Sequence, residues 1–124
     1  MKKDLKIYIC KHCGNIIVKL EDSKVPVVCC GEKMDLITPN TVDAAIEKHI
    51  PIVDIIGNTV TVKIGEIEHP MTEEHHISWV ILNTINGIQI KYLTNESSCT
   101  FETTDEILEV YEYCNLHGLW KTNI

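Results

Sequence analysis

Four cysteines crowd the first third of the chain: Cys10-Lys11-His12-Cys13-Gly14-Asn15, then Val28-Cys29-Cys30-Gly31. No other feature restricts the fold as much. Up to residue 37 the chain has too few apolar residues for a core of its own. A unit below about 40 residues usually needs a metal, a disulfide or a partner chain to fold. In a C-x-x-C-G turn two sulfurs reach one metal, and the glycine supplies the backbone freedom of the knuckle. Adjacent cysteines point to opposite sides of an extended backbone, so Cys29 and Cys30 can share an ion only across a bend. Sulfur-only tetrahedral sites suit zinc or iron. The adjacent pair departs from ordinary zinc knuckles and favours iron. His12, between the first two cysteines, reads as a solvated turn residue.

A disulfide framework is the alternative, and it belongs to oxidising compartments. The N-terminus Met-Lys-Lys-Asp-Leu-Lys-Ile lacks the apolar core of a signal peptide. No apolar run is long enough to cross a bilayer. A cytoplasmic protein without membrane contact is expected, its thiols reduced and free to bind metal. The net charge of −7 over 124 residues argues against nucleic acid as a partner. An anionic substrate must then be attracted locally.

Beyond the turn Thr38-Pro39-Asn40-Thr41 the pattern changes. Asp43-Ala44-Ala45-Ile46-Glu47-Lys48 predicts one helical turn, and Ile50-Pro51 returns the chain to extended backbone. Strands are predicted at Ile52–Ile56, Thr59–Ile64, Ile77–Leu82, Ile88–Leu93, Cys99–Thr103 and Ile107–Tyr113, with a hairpin turn at Asn86-Gly87. Short strands at this spacing, with little helix, indicate a β-sandwich. The fold class is therefore all-β, with a small metal domain over 1–37 and a sandwich over 38–124.

The second part carries its own donors. His49, His69, His75, Cys114 and His117 all fall at strand ends or in loops, where sites gather on a rigid scaffold. His75 and His76 compete for one place. Alternation puts His75 on the face of Ile77, Trp79 and Ile81, so His75 is assigned as the ligand and His76 as a neighbour. Cys99 has no metal-like spacing and reads as a small buried hydrophobe. Structural zinc takes four ligands and stays closed. Five donors, mostly imidazole, suit a redox metal such as iron with one position open.

These residues resemble a known family. Cys10-x-x-Cys13-Gly14-Asn15 with Cys29-Cys30 is similar to the desulforedoxin-type iron site. Glu47-Lys48-His49-x-Pro51, His69-Pro70-Met71, Glu74-His75-x-Ile77-x-Trp79 and Cys114-Asn115-x-His117-Gly118-Leu119-Trp120 resemble the catalytic domain of superoxide reductases. Together they resemble the desulfoferrodoxins, the two-iron superoxide reductases, over nearly the whole chain. The resemblance implies an immunoglobulin-like sandwich, a homodimer and two iron ions per chain. It implies one iron on Cys10, Cys13, Cys29 and Cys30, structural or electron-transferring. It implies a second on His49, His69, His75 and His117 in a plane, with Cys114 axial. Ferrous iron there binds superoxide and reduces it to hydrogen peroxide without releasing dioxygen. Lys48 attracts superoxide, Glu47 binds the resting ferric iron, and a donor such as rubredoxin supplies electrons. His76 stands where the family commonly has tyrosine. On the residues alone two rivals stay open: a non-catalytic electron carrier, and a zinc-stabilised interaction module.

Overall fold

The computed structural model describes residues 5–41 and 46–124, the side chains of 46 and 47 excepted. It divides into two compact units, Met1–Thr38 and Pro39–Ile124.

The first unit is made of very short strands. β1 (Ile7–Ile9) lies between β2 (Ile16–Val18) and β5 (Asp35–Leu36), all antiparallel. β3 (Val28–Cys29) and β4 (Glu32–Lys33) form a separate hairpin. Among its described residues the buried apolar ones are Ile7, Cys10 and Met34, while Leu20, Val25, Val28 and Leu36 are exposed. Such a core is too small to offset the chain entropy of ordering the unit, at about 1–2 kcal/mol per residue for the backbone alone. Two sharp turns do the shaping. The knuckle closes with Gly14 N–H donating to Cys10 C=O at 2.8 Å and Cys10 N–H to Asn15 C=O at 2.9 Å. Gly14 sits at φ 84°, where a side chain would be strained. The bend demanded by Cys29-Cys30 is the two-residue loop of the β3–β4 hairpin, with Cys30 at φ 53° and Gly31 at φ 78°. Positive φ at both loop positions is the tight hairpin turn that matches strand twist.

The second unit is a sandwich of two antiparallel sheets, with one helical turn, α1 (Ile46–His49), before it. One sheet has the order β10-β7-β6, from β6 (Pro51–Ile56), β7 (Thr59–Ile64) and β10 (Ser98–Glu102). The other has the order β12-β11-β8-β9, from β8 (Ile77–Thr84), β9 (Gly87–Tyr92), β11 (Ile107–Cys114) and β12 (Gly118–Asn123). Val60, Val62, Ile64 and Phe101 from the first sheet meet Ile77, Val80, Leu82, Val110 and Cys114 from the second. Each fully buried side chain of this kind contributes about 1.5–3 kcal/mol. Cys99 is half-buried against this cluster, and burial pushes its thiol up to about 11.

Three local expectations are corrected. The final motif is not a loop after the last strand: Cys114 ends β11 and Gly118 opens β12, a strand hidden by the non-alternating Gly-Leu-Trp-Lys-Thr-Asn. The β8–β9 turn is Ile85-Asn86 rather than Asn86-Gly87, because Thr84 pairs with Gly87. Asp105 holds that register, accepting from Thr84 Oγ1 at 3.0 Å and Asn86 Nδ2 at 3.1 Å. Alternation also breaks at the start of β8. Tyr113 pairs with Trp79 but Cys114 pairs with Ile77, a bulge that returns Ile77 to the core face of Val80. Ile77 and Trp79 therefore do not share a face, and the alternation used to choose His75 does not run through this strand. The described part of the helical turn is Ile46–His49; Asp43 to Ala45 lie outside the described residues.

Candidate metal centres

In the first unit the knuckle and the hairpin loop face each other. Cys10, Cys13, Cys29 and Cys30 each offer a sulfur, and these sulfurs lie within 4.8 Å of one another. None is in a disulfide. Cys13 Sγ stands 3.6 Å from Cys29 Sγ, and Asn15 Nδ2 donates to the same sulfur at 3.6 Å. The backbone N–H groups of Cys13 and His12 help draw the Cys10 thiol down to about 6, whereas its neighbours push the Cys30 thiol up to about 12. Four sulfurs at this spacing cannot all ionise without a cation, and one cation among them removes the conflict. His12 is directed elsewhere, its Nε2 3.2 Å from Glu32.

In the second unit α1 delivers His49, the segment before β8 delivers His69 and His75, and the β11–β12 hairpin delivers Cys114 and His117. The hairpin loop is Asn115-Leu116-His117, closed by Gly118 at φ 81°. This three-residue form turns both Cys114 and His117 toward one side. His49 Nε2 lies 3.2 Å from His69 Nε2 and 3.0 Å from His117 Nδ1. Cys114 Sγ lies 3.5 Å from His69 Nε2 and 3.9 Å from His117 Nδ1. The donor atoms of His49, His69, His75 and Cys114 fall within 4.8 Å of one another.

The rings form a closed cycle. Centroids are 4.8 Å apart for His49–His69, 4.7 Å for His69–His75, 5.0 Å for His75–His117 and 4.8 Å for His117–His49, each pair edge-on at 71° to 84°. His49 thus faces His75 across the ring, and His69 faces His117. For metal–nitrogen bonds of about 2.1 Å, donors at right angles lie about 3.0 Å apart. The observed 3.0 and 3.2 Å fit that spacing.

Two further observations fit a metal. His75 Nε2 is buried without a hydrogen-bond partner among the described residues, an arrangement that is costly unless a cation accepts the lone pair. At His69 and His75 the surroundings favour the neutral imidazole, the form a ligand must take. Burial pushes His69 down to about 4, and burial first, then His117, His76 and Lys48, lowers His75. The Pro70 carbonyl accepts from His69 Nδ1 at 2.7 Å, which leaves Nε2 free to bind. Burial raises the Cys114 thiol, while the backbone N–H groups of Leu116 and His117 pull it down. The chain therefore carries two metal sites, one of four sulfurs and one of imidazoles with a sulfur, in keeping with two iron centres.

Lys48 is exposed beside His49. The side chain of Glu47 lies outside the described residues. His76 does not enter the donor cluster: its Nδ1 donates to the Thr72 carbonyl at 2.9 Å.

Sequence reasoning passed over two residues here. Trp120 stacks on His49 at 5.0 Å and 17°, and its Nε1–H donates to the His117 carbonyl at 3.2 Å, so one buried indole packs against one ligand ring and holds the backbone of another ligand. Glu112 is fully buried in β11, and neither carboxyl oxygen has a partner among the described residues. Burial pushes its carboxyl well above the usual range, which favours the uncharged acid. The alternation Val110, Glu112, Cys114 carried that signal, an acid at an inward position.

Comparison with known proteins agrees with this geometry. The family described as desulfoferrodoxin matches residues 41–123, and the desulfoferrodoxin N-terminal domain matches residues 2–37. A protein named desulfoferrodoxin from Syntrophotalea carbinolica is 40% identical over 124 residues, covering 98% of each chain. The crystal structure of the superoxide reductase from Treponema pallidum superposes with a TM-score of 0.81 at 40% identity, over 98% of this chain and 100% of that one. A one-iron superoxide reductase from Giardia intestinalis gives a TM-score of 0.55 at 29% identity, over 63% of this chain and 97% of its own.

Proposed function

The chain belongs to the desulfoferrodoxin family, and from that premise we propose that it is a superoxide reductase. It takes one electron and two protons to convert superoxide into hydrogen peroxide, and no dioxygen is formed. The observation that carries this reading is the closed cycle of four imidazole rings with the Cys114 sulfur beside it. That donor set leaves one octahedral position for a ligand from solution.

Iron bound there supplies the electron and a vacant position for the substrate. The remaining work falls to the chain. His49, His69, His75 and His117 hold the ion through neutral nitrogens, so the site keeps a net positive charge that favours an anion. Cys114 binds as thiolate, and the N–H groups of Leu116 and His117 stabilise the negative sulfur. A thiolate from Cys114 would donate electron density to a metal held there. Lys48 draws superoxide in: at contact distance a single ammonium is worth about 1–4 kcal/mol to an anion. Glu47, next to Lys48 in the chain, would be the carboxylate available to an oxidised ion.

The same reading extends to the rest of the chain. Residues 1–37 form a desulforedoxin-like iron domain whose Cys10, Cys13, Cys29 and Cys30 hold a structural or electron-transferring ion. Residues 38–124 form an immunoglobulin-like catalytic sandwich. The protein works as a cytoplasmic homodimer fed by a small redox protein such as rubredoxin. Pulsed superoxide with product analysis tests the activity. Peroxide without dioxygen is expected; dioxygen in equal amount would mean dismutation and overturn the reading.

A further inference from the structure

We propose that Asn115 is a positioning residue that couples the Cys114–His117 hairpin to the loop carrying His75. The proposal rests on the reading above, in which those side chains share one metal. Asn115 is the first residue of the β11–β12 loop, and it bonds to the backbone on both sides of His75. Its Oδ1 accepts from His76 N–H at 2.8 Å, and its Nδ2 donates to the Glu74 carbonyl at 2.9 Å. Its own N–H donates to the His76 carbonyl at 3.1 Å.

The loop is otherwise bonded chiefly to itself. Thr72 N–H donates to the His75 carbonyl at 2.9 Å, His75 N–H donates to Thr72 Oγ1 at 3.1 Å, and His76 Nδ1 donates to the Thr72 carbonyl at 2.9 Å. Ile77 N–H reaches Met71 Sδ at 3.4 Å. These bonds shape a compact turn but do not set its distance from Cys114. The sheet pairs Cys114 with Ile77, and the Asn115 N–H extends that ladder to the His76 carbonyl; of these contacts the Asn115 side chain alone reaches past His75, to Glu74. The His75 ring has no hydrogen-bond partner at Nε2 among the described residues to steer it. Its position is inherited from the backbone of residues 74–76, and the Asn115 amide ties that backbone to the hairpin that carries two other donors. An amide gives and accepts at once, through two different atoms. Aspartate keeps the acceptor and loses the donor; alanine loses both.

Two measurements test the coupling. The first is iron release from the ferrous holoprotein to excess chelator under anaerobic conditions. Asn115→Ala is expected to accelerate loss from the histidine site about tenfold, as removal of a partner behind a ligand usually does. Asn115→Asp is expected to fall between Asn115→Ala and the parent. In a His75→Ala background, adding Asn115→Ala is expected to change the rate less than twofold. A full tenfold acceleration in both backgrounds would make Asn115 a general hairpin brace and overturn the proposal. If His75→Ala alone left iron release unchanged, His75 would not be a ligand, and the reading beneath the proposal would fall with it. The second measurement needs no metal in the histidine site: amide hydrogen exchange of the protein. Asn115→Ala is expected to speed exchange across residues 72–77 while the β8 segment 79–84 keeps its protection. Unchanged exchange at 72–77 would overturn the proposal even with the first reading intact.

Discussion

The two metal centres reverse cause and effect. In the first unit the donors are close in sequence, the strands are two or three residues long, and Cys13 and Cys30 are exposed. The three buried apolar side chains among its described residues cannot hold such a unit, so the ion makes the fold. In the second unit the donors run from His49 to His117 and converge on a frame of five- to eight-residue strands. His49, His69 and Cys114 are all at or below 2% exposure. There the fold makes the site. A metal that must react gains from the second arrangement, because its donors keep their places when a coordination position is left open. A metal that only ties chain together is served by the first.

The largest test of this contrast is Cys13→Ser. Loss of one sulfur should abolish cooperative structure in residues 1–38, seen as collapsed amide dispersion and rapid proteolysis there, since metal binding to such small units carries about 10 kcal/mol or more of folding energy. Superoxide consumption should stay within a few-fold of the parent. A fall below a tenth of the parent rate would show that the second centre depends on the first. Next comes Cys114→Ser. It should remove sulfur-to-iron absorption from the histidine site and lower superoxide consumption by a hundredfold or so, while the sandwich melts cooperatively. Loss of the sandwich with the sulfur would erase the distinction drawn here.

Leu82→Ala probes the frame alone. Leu82 is fully buried and is not a donor, so the change should cost about 2–5 kcal/mol of sandwich stability. The iron spectrum below the melting transition should not change. The smallest effect belongs to Lys48→Ala. Superoxide capture should slow by up to about tenfold at low salt, the equivalent of 1.4 kcal/mol, and the deficit should shrink as salt screens the charge. A deficit independent of salt would assign Lys48 some role other than attraction.

Legibility in the sequence followed the same divide. The cysteine site could be read directly, because C-x-x-C-G and an adjacent pair dictate local turns, and both turns appear with the left-handed residues they require. Most sandwich strands were legible from alternation. β12 was not, since Leu119 and Trp120 are both buried and break the period of two. The histidines could be named but not arranged. His75 was chosen through an alternation that the bulge before Trp79 interrupts, so the choice did not follow from its stated reason. Trp120, Asn115 and Glu112 stayed hidden because their roles depend on pairings between β8, β11, β12 and α1, which a single sequence does not display.

X-ray absorption at the iron edge of the reduced Cys13→Ser protein tests the central claim most directly, since only the histidine site then contributes. The account predicts one sulfur and four imidazole nitrogens around ferrous iron, with a sixth position that azide can fill. A shell without sulfur, or a sixth protein donor that azide cannot displace, would contradict it.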